Sequence, residues 1–210
     1  MQIKKHTVLL GMTVSLSLVF IATLVYPGGS LFDKNSIGFD WTKNFISNLF
    51  AEKAINGLEN PSRIWADVGV FLFSMSLALF FIGFSKRIPD KHAAKVVKYL
   101  GAGGTFFTFL IVTPLHDQMI VVSGTMFLVS IFYITVFVLK SKLHFFKFLC
   151  ITSLLIFYYT MYLYGSGDFE LLAIMQKVTF VSKIILILSL EYFTTKEDFE
   201  FIKTAKLPND

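Results

Sequence analysis

The chain has 210 residues, of which 55% are hydrophobic, 17% aromatic and 16% charged. A water-soluble domain of this length carries about a quarter charged residues, so this composition, with a mean hydropathy of +0.68, excludes an ordinary soluble globule and makes the bilayer the expected solvent. The 19 Lys and Arg against 14 Asp and Glu give a formal charge of +5, whose meaning depends on where the charges fall.

Crossing the hydrocarbon takes about twenty apolar residues in a helix. The first such run, 7–26, follows Lys4 and Lys5. No small-x-small cleavage site comes after it, and it ends in LVYPGGS, so it reads as an uncleaved first helix and not as a signal peptide. Segment 27–64 is the longest stretch outside any span, and loops of that length in compact proteins are more often functional than idle. Its centre, DWTKNFISNLF from Asp40, has helical periodicity: Asp40, Lys43, Asn44, Ser47 and Asn48 share one arc, and Trp41, Phe45, Ile46, Leu49 and Phe50 the other. The spacing predicts a short amphipathic helix, N-capped by Asp40. Its apolar arc can rest on lipid or on the bundle with the polar arc in water, or the polar arc can turn inward so that the helix lids a cavity.

YPGGS followed by FDWTKNFISNL and NPSR, with MQKVTF opening the last helix, resembles the bacterial and archaeal six-helix family known as domain of unknown function 998. More distantly it is similar to DRAM-like membrane proteins, whose first outer loop carries a comparable ISD motif. This chain has Asn48 where an Asp is usual. The resemblance implies an outward-facing polar site and brings no established reaction with it.

Five more spans follow at 68–84, 97–113, 119–139, 148–164 and 171–193, then a tail over 194–210. The breaks SKRIPDKH, TPLHDQ, KSKLHFFK and GSGDFE read as turns between antiparallel neighbours. With six spans, thirteen Lys and Arg fall on the side of the termini, against Lys34, Lys43, Lys53 and Arg63 on the other. The positive-inside rule then puts both termini in the cytoplasm of a multi-pass cell (inner) membrane protein. The basic excess faces anionic inner-leaflet lipid, not nucleic acid. The expected fold class is an all-α integral membrane protein, a six-transmembrane-helix bundle forming one membrane domain over 1–210, with a structured extracytoplasmic first loop.

Ionisable groups at membrane depth demand a partner or a purpose. Asp67 at the start of the second span, His116 and Asp117 in the turn between the third and fourth, and Lys177 in the sixth belong to one outer layer. Together with Asp40, Asn44 and Ser47 they are the candidate lining of an outward-facing pocket in which Lys177 neutralises Asp67 or Asp117. Each also has a plainer reading: a helix-terminal carboxylate for Asp67, a solvated turn for His116 and Asp117, and snorkelling for Lys177. Gln176, Thr179 and Lys183 share a face of the sixth span and form a polar stripe directed into the bundle. Lys183 lies near mid-membrane, where it is either a structural lysine or part of a site; a retinal-type Schiff base lacks an evident counter-ion.

Of the four histidines, only His116 falls on the outer side. Zinc usually takes three or four protein ligands, so neither a metal nor a cofactor is expected. A Ser47, His116 and Asp117 nucleophile set lacks a nucleophile-elbow motif. The GAGGT run from Gly101, with Gly69 and Gly83, reads as close helix contacts, and the single Cys150 excludes an intramolecular disulfide. The functional expectation is binding of a lipid or small amphiphile in the outer pocket. An intramembrane enzyme acting on lipid head groups and a small-solute transporter are the alternatives.

Overall fold

The computed structural model describes residues 6–204, with side chains to residue 200. Its helices, in chain order, are α1 (Thr7–Leu24), α2 (Ser62–Phe84), α3 (Lys91–Val96), α4 (Ala102–Leu110), α5 (His116–Lys140), α6 (His144–Ser166), α7 (Phe169–Phe193) and α8 (Glu197–Thr204). Helices α1, α2, α5, α6 and α7 are long and apolar enough to cross a membrane. Among the described residues the only β-pairing is two isolated bridges, Gly28 with Ile37 and Lys53 with Glu59.

The third expected span, 97–113, has a more complicated form. Helix α3 runs through a π-turn, Val97–Gly101, into α4. The run from Lys91 to Leu110 is about 30 Å long at 1.5 Å per residue, but Lys91, Lys95 and Lys98 occupy its first half. Pro114 disfavours helical backbone at the residue before it, and the chain leaves the helix after Leu110 through turns in which Thr113 Oγ1 donates to Leu110 O (2.7 Å). The Phe81 ring fills the space where a side chain at Gly101 would sit.

Helices α2, α5, α6 and α7 all begin earlier than hydropathy suggests, and α2 and α5 show why. Helix α2 starts at Ser62, where Asn60 Oδ1 accepts from the Ser62 hydroxyl (2.5 Å) and amide (3.3 Å). Helix α5 starts at His116. In both, charged residues in the first turns hide helix that is already formed.

Small residues set the α1–α2 contact. Ser15 Oγ donates to Gly69 O (2.7 Å), and a Cβ at Gly69 would lie 3.0 Å from Val19 Cγ2 and 3.2 Å from Ser15 O. Gly11 sits against the Ser76 hydroxyl, and Gly104 against Met126. Gly83, expected to be a contact glycine, makes no such contact: a Cβ at that position would meet nothing within 4 Å.

At the end of the bundle where α1 begins and α7 stops, the Arg87 guanidinium reaches the last turn of α7. It donates to Leu190 O (2.7 Å), Glu191 O (3.1 Å) and Thr194 Oγ1 (3.1 Å), and pairs with Glu191 Oε2 (3.0 Å). Carbonyls left over at a helix C-terminus thereby find donors. The tail beyond α7 folds back as α8, burying Phe199 edge-on to Phe84 (5.8 Å between centroids).

At the other end, residues 25–61 form a folded cap. The expected helix over 40–50 becomes an Asp40 turn followed by a 3-10 helix, Ile46–Phe50. Asp40 Oδ1 accepts from the Thr42 hydroxyl (2.7 Å), the Thr42 amide (2.8 Å) and the Lys43 amide (3.3 Å). These bonds, the Thr42 hydroxyl first, hold its carboxyl below the usual carboxylate pKa of 3.8. Such local bonding offers the backbone an alternative to helix. Leu49, Phe50 and Ala54 pack on Val19, Ala22, Tyr26 and Ala66, giving the cap a core of its own.

Candidate functional site

Beneath the cap, helices α2, α4, α5, α6 and α7 surround a cavity of about 400 Å³. That size suits a small ligand. Phe45, Ile46, Ser47 and Phe50 of the cap partly cover it from above, and Lys183 of α7 lies at its deep end. The walls are mainly aliphatic and aromatic, with a minority of polar side chains: Ser47, Thr108, His116, Ser123, Thr160, Tyr164, Gln176, Thr179 and Lys183.

The α7 stripe faces this cavity. Gln176 Oε1 accepts from the Ile46 amide (2.8 Å), tying the cap's 3-10 helix to α7. One turn deeper, the Thr179 and Thr160 hydroxyls share a hydrogen bond (2.6 Å) that joins α7 to α6. Next comes Lys183. Its Nζ lies 4.5 Å from the centroid of the Phe127 ring on α5 and 4.8 Å from that of Phe157 on α6. Among the described residues the ammonium has no hydrogen-bonding or ion-pair partner. An aromatic face attracts a cation through its quadrupole by about 0.5–2 kcal/mol, too little to replace the hydration lost at this depth.

His116 lines the loop-side part of the cavity. Its Nδ1 is 3.1 Å from Asp117 Oδ1, while its Nε2 is buried without a hydrogen-bond partner. Asp117 itself points to solvent, with its side chain 78% exposed.

The remaining candidates serve the cap or lie apart. Asn44 is fully buried, yet it faces the inside of the cap: its side chain donates to Gly29 O (2.7 Å) and Asn48 Oδ1 (3.2 Å) and accepts from the Asp40 amide (2.9 Å). Asp40 belongs to the turn described above. Lys177 neutralises neither Asp67 nor Asp117. It donates to Asn44 O (2.6 Å) and Ala173 O (2.5 Å), with the Phe39 ring 5.9 Å away, and so acts as a second strap between cap and α7. Asp67 lines a separate shallow pocket beside Arg63, whose Nε is 3.7 Å from its Oδ2, and its Oδ1 is buried without a partner. Asn48, where the resemblance led to an Asp, accepts from the Phe45 amide (2.8 Å) and holds the 3-10 turn.

Sequence reasoning missed Phe127 and Phe157, which embrace the deep lysine, and the apolar cap residues over the cavity. A cation at mid-helix with no acidic residue at helical spacing is the available signal for the rings. The cap residues give none, because the amphipathic arc assigns them to a helix that does not form. Among the described residues no three His, Cys, Asp or Glu side chains gather as a metal site requires. No protein-family model, curated protein or solved structure matches the chain.

Proposed function

We propose that the protein is a six-span membrane protein that binds a lipid or small amphiphile in the capped cavity, which opens toward the outer face of a cell membrane, with both termini in the cytoplasm. The α3–α4 run supplies the sixth crossing, its lysines lying at the cytoplasmic interface. One observation carries the binding reading: a ligand-sized, mostly apolar cavity with a single cation facing into it. Bundle interiors are packed to the density of organic crystals, so a mostly apolar cavity of about 400 Å³ without an apolar occupant forgoes dispersion contacts along its apolar walls. A bound apolar molecule restores them.

The test is native mass spectrometry of the protein released from its own membrane, beside a variant whose cavity is filled by Ser123→Trp. A co-purifying amphiphile that is present in the wild type and missing from the variant is the expected result. Equal occupancy of both, or none in either, overturns the reading.

One arrangement favours the enzymatic alternative, in which the protein works on lipid head groups. His116 has Nδ1 held by Asp117 and a buried Nε2 with no partner, which is how a general base is oriented. If turnover exists, His116→Gln abolishes it while leaving the amphiphile bound.

A further inference from the structure

We infer that the molecule held in the cavity is a compact hydrophobic acid with a single negative charge, bound with its anionic group inward against Lys183. The inference rests on the binding reading above and names the ligand's charge and direction.

Depth comes first. Lys183 is fourteen residues from Phe169 and ten from Phe193, about 21 Å and 15 Å along the axis of α7. A lysine side chain reaches neither interface from there. Local neutralisation is equally out of range. Every acidic residue of the described chain lies in a loop, in α8, or near a helix end: Asp67, Asp117, Glu170 and Glu191 are those on the long helices. Glu191 is taken by Arg87 and Asp67 lies beside Arg63. The Phe127 and Phe157 faces favour the protonated amine, yet they bring no negative charge. An ammonium held at this depth among apolar walls without a counter-charge is strongly unfavourable, and the cavity it faces offers a route by which that charge can arrive.

The direction of binding follows from the order of polarity. A bilayer lipid puts its head at the surface and its tail at depth. Here the one ammonium in the lining lies at the bottom, while Phe45, Ile46 and Phe50 stand at the cap beside the polar but acid-free set of Ser47, Gln176 and His116. A molecule that fits carries its apolar body under the cap and its acid group down beside Lys183, where the Thr160–Thr179 hydroxyl pair lies one turn away. One cation matches one charge, so a carboxylate suits the site better than a phosphate monoester.

The experiment uses the full chain in lipid nanodiscs, with radiolabelled dodecanoate as probe and dodecan-1-ol as the uncharged competitor. Saturable dodecanoate binding is expected, lost in Ser123→Trp, with dodecan-1-ol competing about thirtyfold or more weakly and Lys183→Met weakening dodecanoate by a similar factor. Lys183→Met removes an unpaired charge at membrane depth, and a thermal transition no lower than the wild type's verifies its fold; Lys183→Gln replaces it if it does not accumulate. Equal competition by the alcohol, or undiminished dodecanoate binding in the lysine variant, overturns the charge inference and leaves the amphiphile reading standing. Absence of any binding that Ser123→Trp removes overturns both.

Discussion

Asn44 and Lys183 show how one kind of reasoning about polar residues succeeds at one position and misleads at another. Both are polar groups that a membrane-facing chain has reason to exclude. Asn44 spends its hydrogen bonds inside the cap, on Gly29, Asp40 and Asn48, so it holds structure and leaves nothing over for a ligand. Lys183 has no such neighbours among the described residues, and in the proposed reading its partner is the ligand. Asn44→Ala strands those buried partners at about 1–3 kcal/mol for each group left unsatisfied. The expected outcome is a cap that trypsin cuts after Lys43 and Lys53 while the bundle stays intact; a digestion pattern like the wild type's would deny Asn44 this role. Asp40 makes the matching statement in pH. Its carboxyl is held below 3.8 by the Thr42 hydroxyl and by the Thr42 and Lys43 amides, so its contribution is present above that value and fades as the pH falls through the folded pKa. Protection factors of the Thr42 and Lys43 amides against hydrogen exchange are therefore level near neutrality and drop under acid. The effect is small because Asp40 is largely in water.

Among the elements, the long helices are legible in the sequence because an uncharged apolar run of bilayer length has almost no place in a soluble fold. Their starts are not, since the charged first turns of α2 and α5 resemble loop. The π-turn is equally hidden: nothing in VKYLG announces it, and the Phe81 ring that lies against Gly101 belongs to another helix. The cap misleads for a related reason. Its 100° periodicity is real, but Asp40 closes a turn at once, and Gly28 and Gly29, at φ of 136° and 82°, bring the chain back so that Asn44 bonds across it. Polarity alone groups Asp40, Asn44, Asp67 and Lys177 into a shared pocket, whereas short-range partners hold each of them elsewhere. The glycines give a paired test at this scale. Gly69→Leu forces side-chain atoms into Val19 and Ser15 and costs about 1–3 kcal/mol by overpacking, lowering the thermal transition in detergent. Gly83→Ala meets open space and exchanges glycine for a better helix former, so its transition stays level or rises. A Gly69 variant as stable as Gly83→Ala would contradict the close α1–α2 contact.

For the molecule as a whole, the outstanding question is which way the cavity faces, and the charges favour the proposed direction through the positive-inside rule. Lys86, Arg87, Lys91, Lys95, Lys98, Lys140, Lys142 and Lys147 cluster at the end opposite the cap, which itself carries Lys34, Lys43, Lys53 and Arg63 offset by Asp33, Asp40, Glu52 and Glu59. A flanking bias of this kind fixes orientation during insertion, and the proposed orientation accordingly turns the cap and its cavity outward and the α5–α6 turn toward the cytoplasm. The chain is well suited to testing this, because its single cysteine, Cys150, is fully buried and gives little background with thiol reagents. Asn35→Cys, in the cap, is expected to react with a membrane-impermeant maleimide in intact cells. Lys142→Cys, in the α5–α6 turn, reacts only after the membrane is opened. The reverse pattern would turn the cavity toward the cytoplasm and, with it, require the hydrophobic acid to be an internal metabolite instead of one captured from outside. Labelling of both sites in intact cells would show that the chain inserts in two orientations, and the assignment of an outward face would then fail.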